Sequence, residues 1–198
     1  PADGLEFLAL SLDGEGTPIA VLSTDLGMRW FLDDITDDVL RDPARRTEVL
    51  DELAVPFLPY PIGLFVERLG PLVANDAYAT PEVWAGFERD DYHSPRVVWG
   101  REVNLLLLGL MRQIAAAHDA DGQLRGAQLQ GYVTALETTL HRTLDGVEAS
   151  GLKHNELWSY RIEGDRLLPI RWGSSSDVQL WNLTSLAVEF ELARSPIR

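Results

Sequence analysis

The sequence predicts a mainly α fold built of helical hairpins, with long loops and small β elements between them. Three observations carry this. Arg101–His118 holds a nearly all-apolar helical run. The 123–146 stretch repeats Leu129, Val133, Leu136, Leu140 and Leu144 at spacings of three and four, the period of an amphipathic helix. Asp119–Gly122 joins the two by a short turn, which makes them a helical hairpin with an inner and an outer member.

The elements follow in order. Leu5–Leu12 is apolar and ends at Asp13-Gly14-Glu15-Gly16, a turn signal, before a second apolar run at Pro18–Leu22. The pair reads as extended chain or one hairpin. From Gly27, the residues Trp30, Phe31, Ile35, Val39 and Leu40 suggest a short helix. Asp42-Pro43 opens another, with Asp42 as N-cap and Pro43 in the first helical position. Val49, Leu50 and Leu53 form its apolar face. Val55–Pro81 carries prolines at 56, 59, 61, 71 and 81, so few regular hydrogen bonds are available to it. Thr80 caps a helix bearing Trp84 and Phe87. Gly151–Gly173 reads as loop with a small hairpin about Gly164-Asp165. Ser174–Asp177 offers caps for a last helix from Val178 to about Arg194. No repeat of fixed period is present.

Composition narrows the function. With 17 Lys+Arg against 31 Asp+Glu in 198 residues, the formal charge is −14. That disfavours nucleic acid and anionic membranes, both of which need a basic surface. No apolar run reaches the roughly 20 residues that span a bilayer. The absence of cysteine excludes disulfides, zinc–thiolate sites and thiol nucleophiles. The HExxH, GxxxxGK[ST], GxGxxG and GxSxG patterns are all absent, and neither a metal nor a cofactor is implied. Pro1–Gly4 has no signal-like character, which points to the cytoplasm. The start at Pro1 reads as a fragment or a processed product.

Four clusters combine carboxylates with aromatic or amide groups: Ser23-Thr24-Asp25; Asp90–Ser94 continuing to Trp99-Gly100-Arg101-Glu102; His154–Trp158; and Trp172–Asp177 with Gln179, Trp181 and Asn182. Each stands before or at the start of an expected helix. In a ring of hairpins, loops on one rim would converge on one pocket. Aromatic faces with carboxylate, amide and imidazole groups suit a carbohydrate, and glycoside hydrolysis needs two carboxylates. Plainer readings stand beside this. Asp25 and Asp177 serve equally as N-caps, Tyr92-His93 as a packing pair, and Glu156 as a surface carboxylate. Trp84, Trp99 and Trp181 read first as core. His118 and His141 read as exposed or capping residues, and Asp33-Asp34 with Asp37-Asp38 as a solvated face.

Taken in order, these segments resemble the C-terminal half of a six-hairpin (α/α)6-toroid glycosidase, with glycogen-debranching amylo-alpha-1,6-glucosidase domains the nearest analogy. Leu8–Pro18 followed by Ser23–Gly27 resembles the family's helix entry, "ALDxxGxP…TSNxGH". Asp91–Trp99 resembles "YHxGxVWP". Asn155-Glu156-Leu157-Trp158 resembles "PELF", which holds the catalytic base. Pro169–Trp181 resembles "P…S.QAW". Asp25, Met28, Ser94-Pro95 and Asn155 depart from the pattern, which points to a different glycoside within the same clan. The resemblance implies one domain, 1–198, that forms half of a catalytic toroid. It implies an inverting hydrolase acting on an α-glucoside or oligosaccharide, with Glu156 as general base. Tyr92, His93 and Trp158 would line the sugar subsite with Trp99, while Asp177, Gln179 and Asp25 supply further contacts. The general acid would lie in an N-terminal half or second chain, without which this chain would not hydrolyse glycosides. A non-catalytic carbohydrate-binding helical domain and a helical interaction subunit are the alternatives.

Overall fold

The computed structural model describes residues 5–32, 37–75, 77–89, 96–173, 175–176 and 179–194; at 26, 37, 38 and 87 only the backbone is described. Helices take about 49 % of the chain and strands 16 %, so the fold is mainly α, as its periodicity predicts.

The organising element is helix α5, Gly100–Ala116, packed against α1 (Leu26–Leu32), α6 (Gln130–Ser150) and α7 (Leu183–Arg194). Its apolar run explains this, because Val103, Leu106, Leu107, Leu110, Met111 and Ile114 are all buried, and a helix without a polar face must be covered on several sides. Small residues let α1 come close. A Cβ on Gly109 would sit 2.7 Å from the backbone carbonyl carbon of Trp30, and one on Gly27 would sit 3.1 Å from Leu106 Cβ.

The expected hairpin at the start forms from β1 (Ser11–Leu12) and β2 (Pro18–Ile19). Helix α2 (Asp37–Arg41) precedes α3 (Pro43–Ala54), where Asp42 caps by accepting from Ala44 N at 2.9 Å. Buried Arg46 donates to the carbonyls of Val39 and Leu40, which satisfies part of the end of α2. The proline-rich stretch pairs β3 (Phe65–Val66) with β4 (Gly70–Pro71) and adds isolated bridges from Pro59 to Phe65 and from Ala74 to Ser23. Asn75 stitches it by donating to the carbonyls of Pro61, Ile62 and Gly63. Helix α4, Pro81–Glu88, starts at the Thr80 cap.

The single short helix expected from Gly27 to Leu40 is described as α1 and α2, with residues 33–36 outside the described set, and two later boundaries also differ from the sequence reading. The outer helix begins later, with a 3₁₀ turn at Ala127–Leu129, and runs on to Ser150, where Gly151 at φ 69° ends it. Gly126 before it is extended, and a left-handed glycine is the usual C-terminal stop. The last helix begins at Leu183, after a 3₁₀ turn at Leu180–Asn182. The region 151–173 holds more sheet than expected. Strand β6 (Leu157–Glu163) pairs with β7 (Arg166–Arg171) around Gly164-Asp165, and also with β5 (Val98–Trp99). The hairpin turn was visible because Gly164, at φ 59°, serves a two-residue loop. The third strand joins residues 58 positions apart, which no local signal reports. The cluster His154–Trp158 therefore leads into a strand rather than a helix.

Among the described residues, no helix is long and apolar enough to cross a membrane.

Candidate functional site

The N-terminus of α5 gathers three of the four sequence clusters. The β5–β6 pairing sets Val98 opposite Trp158 and Trp99 opposite Leu157. One step on, Gly100 N donates to the Glu156 carbonyl at 2.8 Å. Glycine is required there, since a Cβ would lie 2.6 Å from the Asn155 carbonyl oxygen and 3.1 Å from the Trp158 ring. Glu156 is thus pinned against the helix entry by backbone contacts.

The Glu156 carboxylate is buried, with 1 % of the residue exposed. Its Oε2 accepts from Gln179 Nε2 at 2.8 Å and from Ser176 N at 3.4 Å. The segment carrying those donors is tied down as well. Ser175 Oγ donates to the Leu157 carbonyl, and Asn182 Nδ2 donates to the carbonyls of His154 and Ser176. Beside Glu156, the buried Oδ1 of Asn155 has no hydrogen-bond partner.

Arg101 builds the neighbouring wall. Its guanidinium carbon stands 3.9 Å from the Trp99 ring centroid and 5.5 Å from that of Trp181, within cation–π range of both. Its Nε and one terminal nitrogen donate to Oε1 of Glu102, at 3.0 and 2.6 Å. Glu102 is buried, and desolvation pushes its pKa above the ordinary 4.5; the Arg101 hydrogen bond and charge oppose this, and the Asp25 charge reinforces it. Trp181 is 44 % exposed, which leaves aromatic surface at the rim.

Against the sequence expectations, Glu156 and Gln179 meet directly. Trp99 lies at the same helix entry, stacked on Arg101. Asp25 is exposed, and its charge acts on Glu102. Trp158 is a correction. It is fully buried, and its indole Nε1 donates to the Leu69 carbonyl at 3.0 Å, so it forms the floor under the site and has no face for a sugar. Its pleat position opposite Val98 turns it into the core. Tyr92, His93 and Asp177 lie outside the described residues. Arg101, Glu102 and Trp181 belong to the second and fourth sequence clusters, where they had no assigned role in the site, and they join it here. Among the described residues, no group of three or more His, Asp or Glu side chains could hold a metal ion.

Compared with known protein families, characterised proteins and solved structures, the chain matches none. The functional reading therefore stands on the site's chemistry: a buried carboxylate gripped by amide donors, a second buried carboxylate, and an indole–guanidinium–indole stack.

Proposed function

We propose that the chain is part of an inverting glycoside hydrolase directed at an α-glucoside or oligosaccharide, and that Glu156 is its general base. The observation that supports this most is the Glu156–Gln179 contact at the α5 entry, beside the Trp99–Arg101–Trp181 stack. A base must be held in one orientation, and an amide on one carboxylate oxygen does that. Exposed indole beside it suits the apolar face of a sugar ring. An inverting enzyme needs its acid roughly 6.5–9.5 Å from the base. In this reading the acid comes from an N-terminal half that completes a toroid in the cytoplasm.

A binding-only reading has one observation in its favour, the near-complete burial of Glu156. A glycoside panel assayed on the chain with its completing half separates the two. Glu156→Gln is expected to lower turnover by about 10²- to 10⁴-fold and to leave sugar affinity largely intact, since a base acts in the transition state. Sugar binding without hydrolysis in either protein would favour the binding domain. An absence of sugar affinity would overturn both and favour an interaction subunit.

A further inference from the structure

Helix α7 presents apolar side chains on two opposite faces. On one, Val188 and Leu192 join the core beneath α5. On the other, Leu183, Leu186, Ala187, Phe190 and Ala193 are all exposed, and Leu180 in the preceding turn extends the stripe. Their spacings of three and four put them on one side of the helix. Leu180 is 73 % exposed, Leu183 54 %, Leu186 53 % and Phe190 57 %. At about 200 Å² for a large side chain, these four leave roughly 450–500 Å² in water, the size of patch that marks an interaction site. A helix that is apolar all round is normally covered all round.

The charges beside the stripe and its own order of residues narrow what covers it. Both carboxylates of α7 already have a basic neighbour, Glu189 in Lys153 at 3.4 Å and Glu191 in Arg194 at 3.9 Å. The helix is thus charge-paired on a chain of formal charge −14, and nothing on it selects a basic partner. The stripe is complementary to itself instead. Two copies of α7, set antiparallel about a two-fold between Leu186 and Ala187, bring Leu186 onto Ala187 of the second copy, Leu183 onto Phe190 and Leu180 onto Ala193. Each large side chain then meets an apolar one. Glu189 and Glu191 fall level with Thr184 and Asn182 of the second copy, so no carboxylate of α7 faces another across the pair. Such a contact is isologous, the commonest form of a dimer. Doubled across the two-fold, the four large side chains supply about 1,000 Å², the threshold of a specific interface, and the alanines add to it.

We propose that the outer face of α7 docks a second copy of this chain, as an antiparallel α7–α7 pair centred between Leu186 and Ala187. The interface does not involve Glu156 and does not depend on the glycosidase reading.

Sedimentation equilibrium of the chain, from low micromolar to submillimolar concentration, tests it. The mass is expected to rise from 22.1 kDa to twice that value. The rise should come at lower concentration in high salt, which screens the repulsion between two chains of charge −14. Phe190→Lys is expected to raise Kd about tenfold or more and to leave the far-ultraviolet circular dichroism unchanged. The chain has no cysteine, so single cysteines report the register. Leu186→Cys stands about 1.5 Å along the axis from its counterpart and should give a disulfide-linked dimer on oxidation. Leu183→Cys stands about 10 Å from its counterpart, beyond the roughly 7 Å that a disulfide spans, and should not. Should Phe190→Lys fail to fold, the two cysteine variants decide. A mass of one chain throughout the range would overturn the proposal. So would association unaffected by Phe190→Lys, or cross-linking as ready in Leu183→Cys as in Leu186→Cys.

Discussion

Replacing Gly100 with alanine probes the joint between helix α5 and the segment bearing Glu156. The added methyl would lie 2.6 Å from the Asn155 carbonyl oxygen, 3.1 Å from the Trp158 ring and 3.3 Å from the Glu156 carbonyl oxygen. Ordinary contact begins near 3.4 Å, so the Asn155 backbone must retreat from 2.6 to 3.4 Å, about 0.8 Å. Forced overpacking of this kind costs about 1–3 kcal/mol. Alanine returns at most about 1 kcal/mol of helix propensity, and less at a helix end. The net loss is about 1–2 kcal/mol, or a fall of about 2–8 °C in Tm for a chain of this length. Gly109→Ala is the control. Its methyl meets three backbone atoms of Trp30 and Phe31 at 2.7–2.9 Å, and the stability cost is similar. It lies nine residues along the same helix, about 14 Å away. Calorimetry gives the stability, and the assigned indole resonances of the ¹⁵N-labelled chain, which separate Trp158 and Trp99 from Trp30, give the site. Both variants should lose stability, while only Gly100→Ala should shift the resonances of Trp158 and Trp99. A Gly100→Ala protein as stable as wild type, or equal spectral changes in both variants, would refute the close contact at the α5 entry.

Gln179→Leu removes a donor from a buried carboxylate and should cost about 1.5–3 kcal/mol in denaturant unfolding. Trp158→Phe abolishes the indole hydrogen bond to the Leu69 carbonyl and should cost about 1–3 kcal/mol through the orphaned acceptor. Tyr132 donates to Gln113 in the core, and burial raises its pKa above the ordinary 10.0. The folded state therefore holds that proton more tightly than the unfolded chain, so stability should fall as pH climbs above about 10; Tyr132→Phe should flatten that fall in pH-dependent urea titrations. Glu102 has the same sign at lower pH. Its raised pKa means that its contribution is full below about 4.5 and declines as pH rises, a dependence that Glu102→Gln should erase.

Helix α5, helix α6, the Asp42 cap and the Gly164-Asp165 turn were legible in the sequence because each rests on neighbours within one or two helical turns. The β5–β6 pairing was not, because it joins Trp99 to Leu157 across most of a helical hairpin. That one missing contact explains the misreading of Trp158. Placed on a loop, it looked like a sugar platform; placed on a strand opposite Val98, it faces the core. The Glu156–Gln179 contact was anticipated as convergence of separate clusters, though the Asn182 bonds that lock it depend on tertiary approach. Arg101 and Glu102 stood in the second sequence cluster without an assigned role, because the burial of Glu102 depends on tertiary packing that no local signal reports.

The central claim is that the α5 entry, with Glu156 beneath and Trp181 at the rim, takes carbohydrate. Titration of the ¹⁵N-labelled chain with a linear α-glucan oligosaccharide tests it most directly. The account predicts saturable shifts in the indole resonances of Trp99 and Trp181 and in the Gln179 side-chain amide, all weakened in Trp181→Ala. Shifts confined to other surfaces, or none at millimolar sugar, would contradict it.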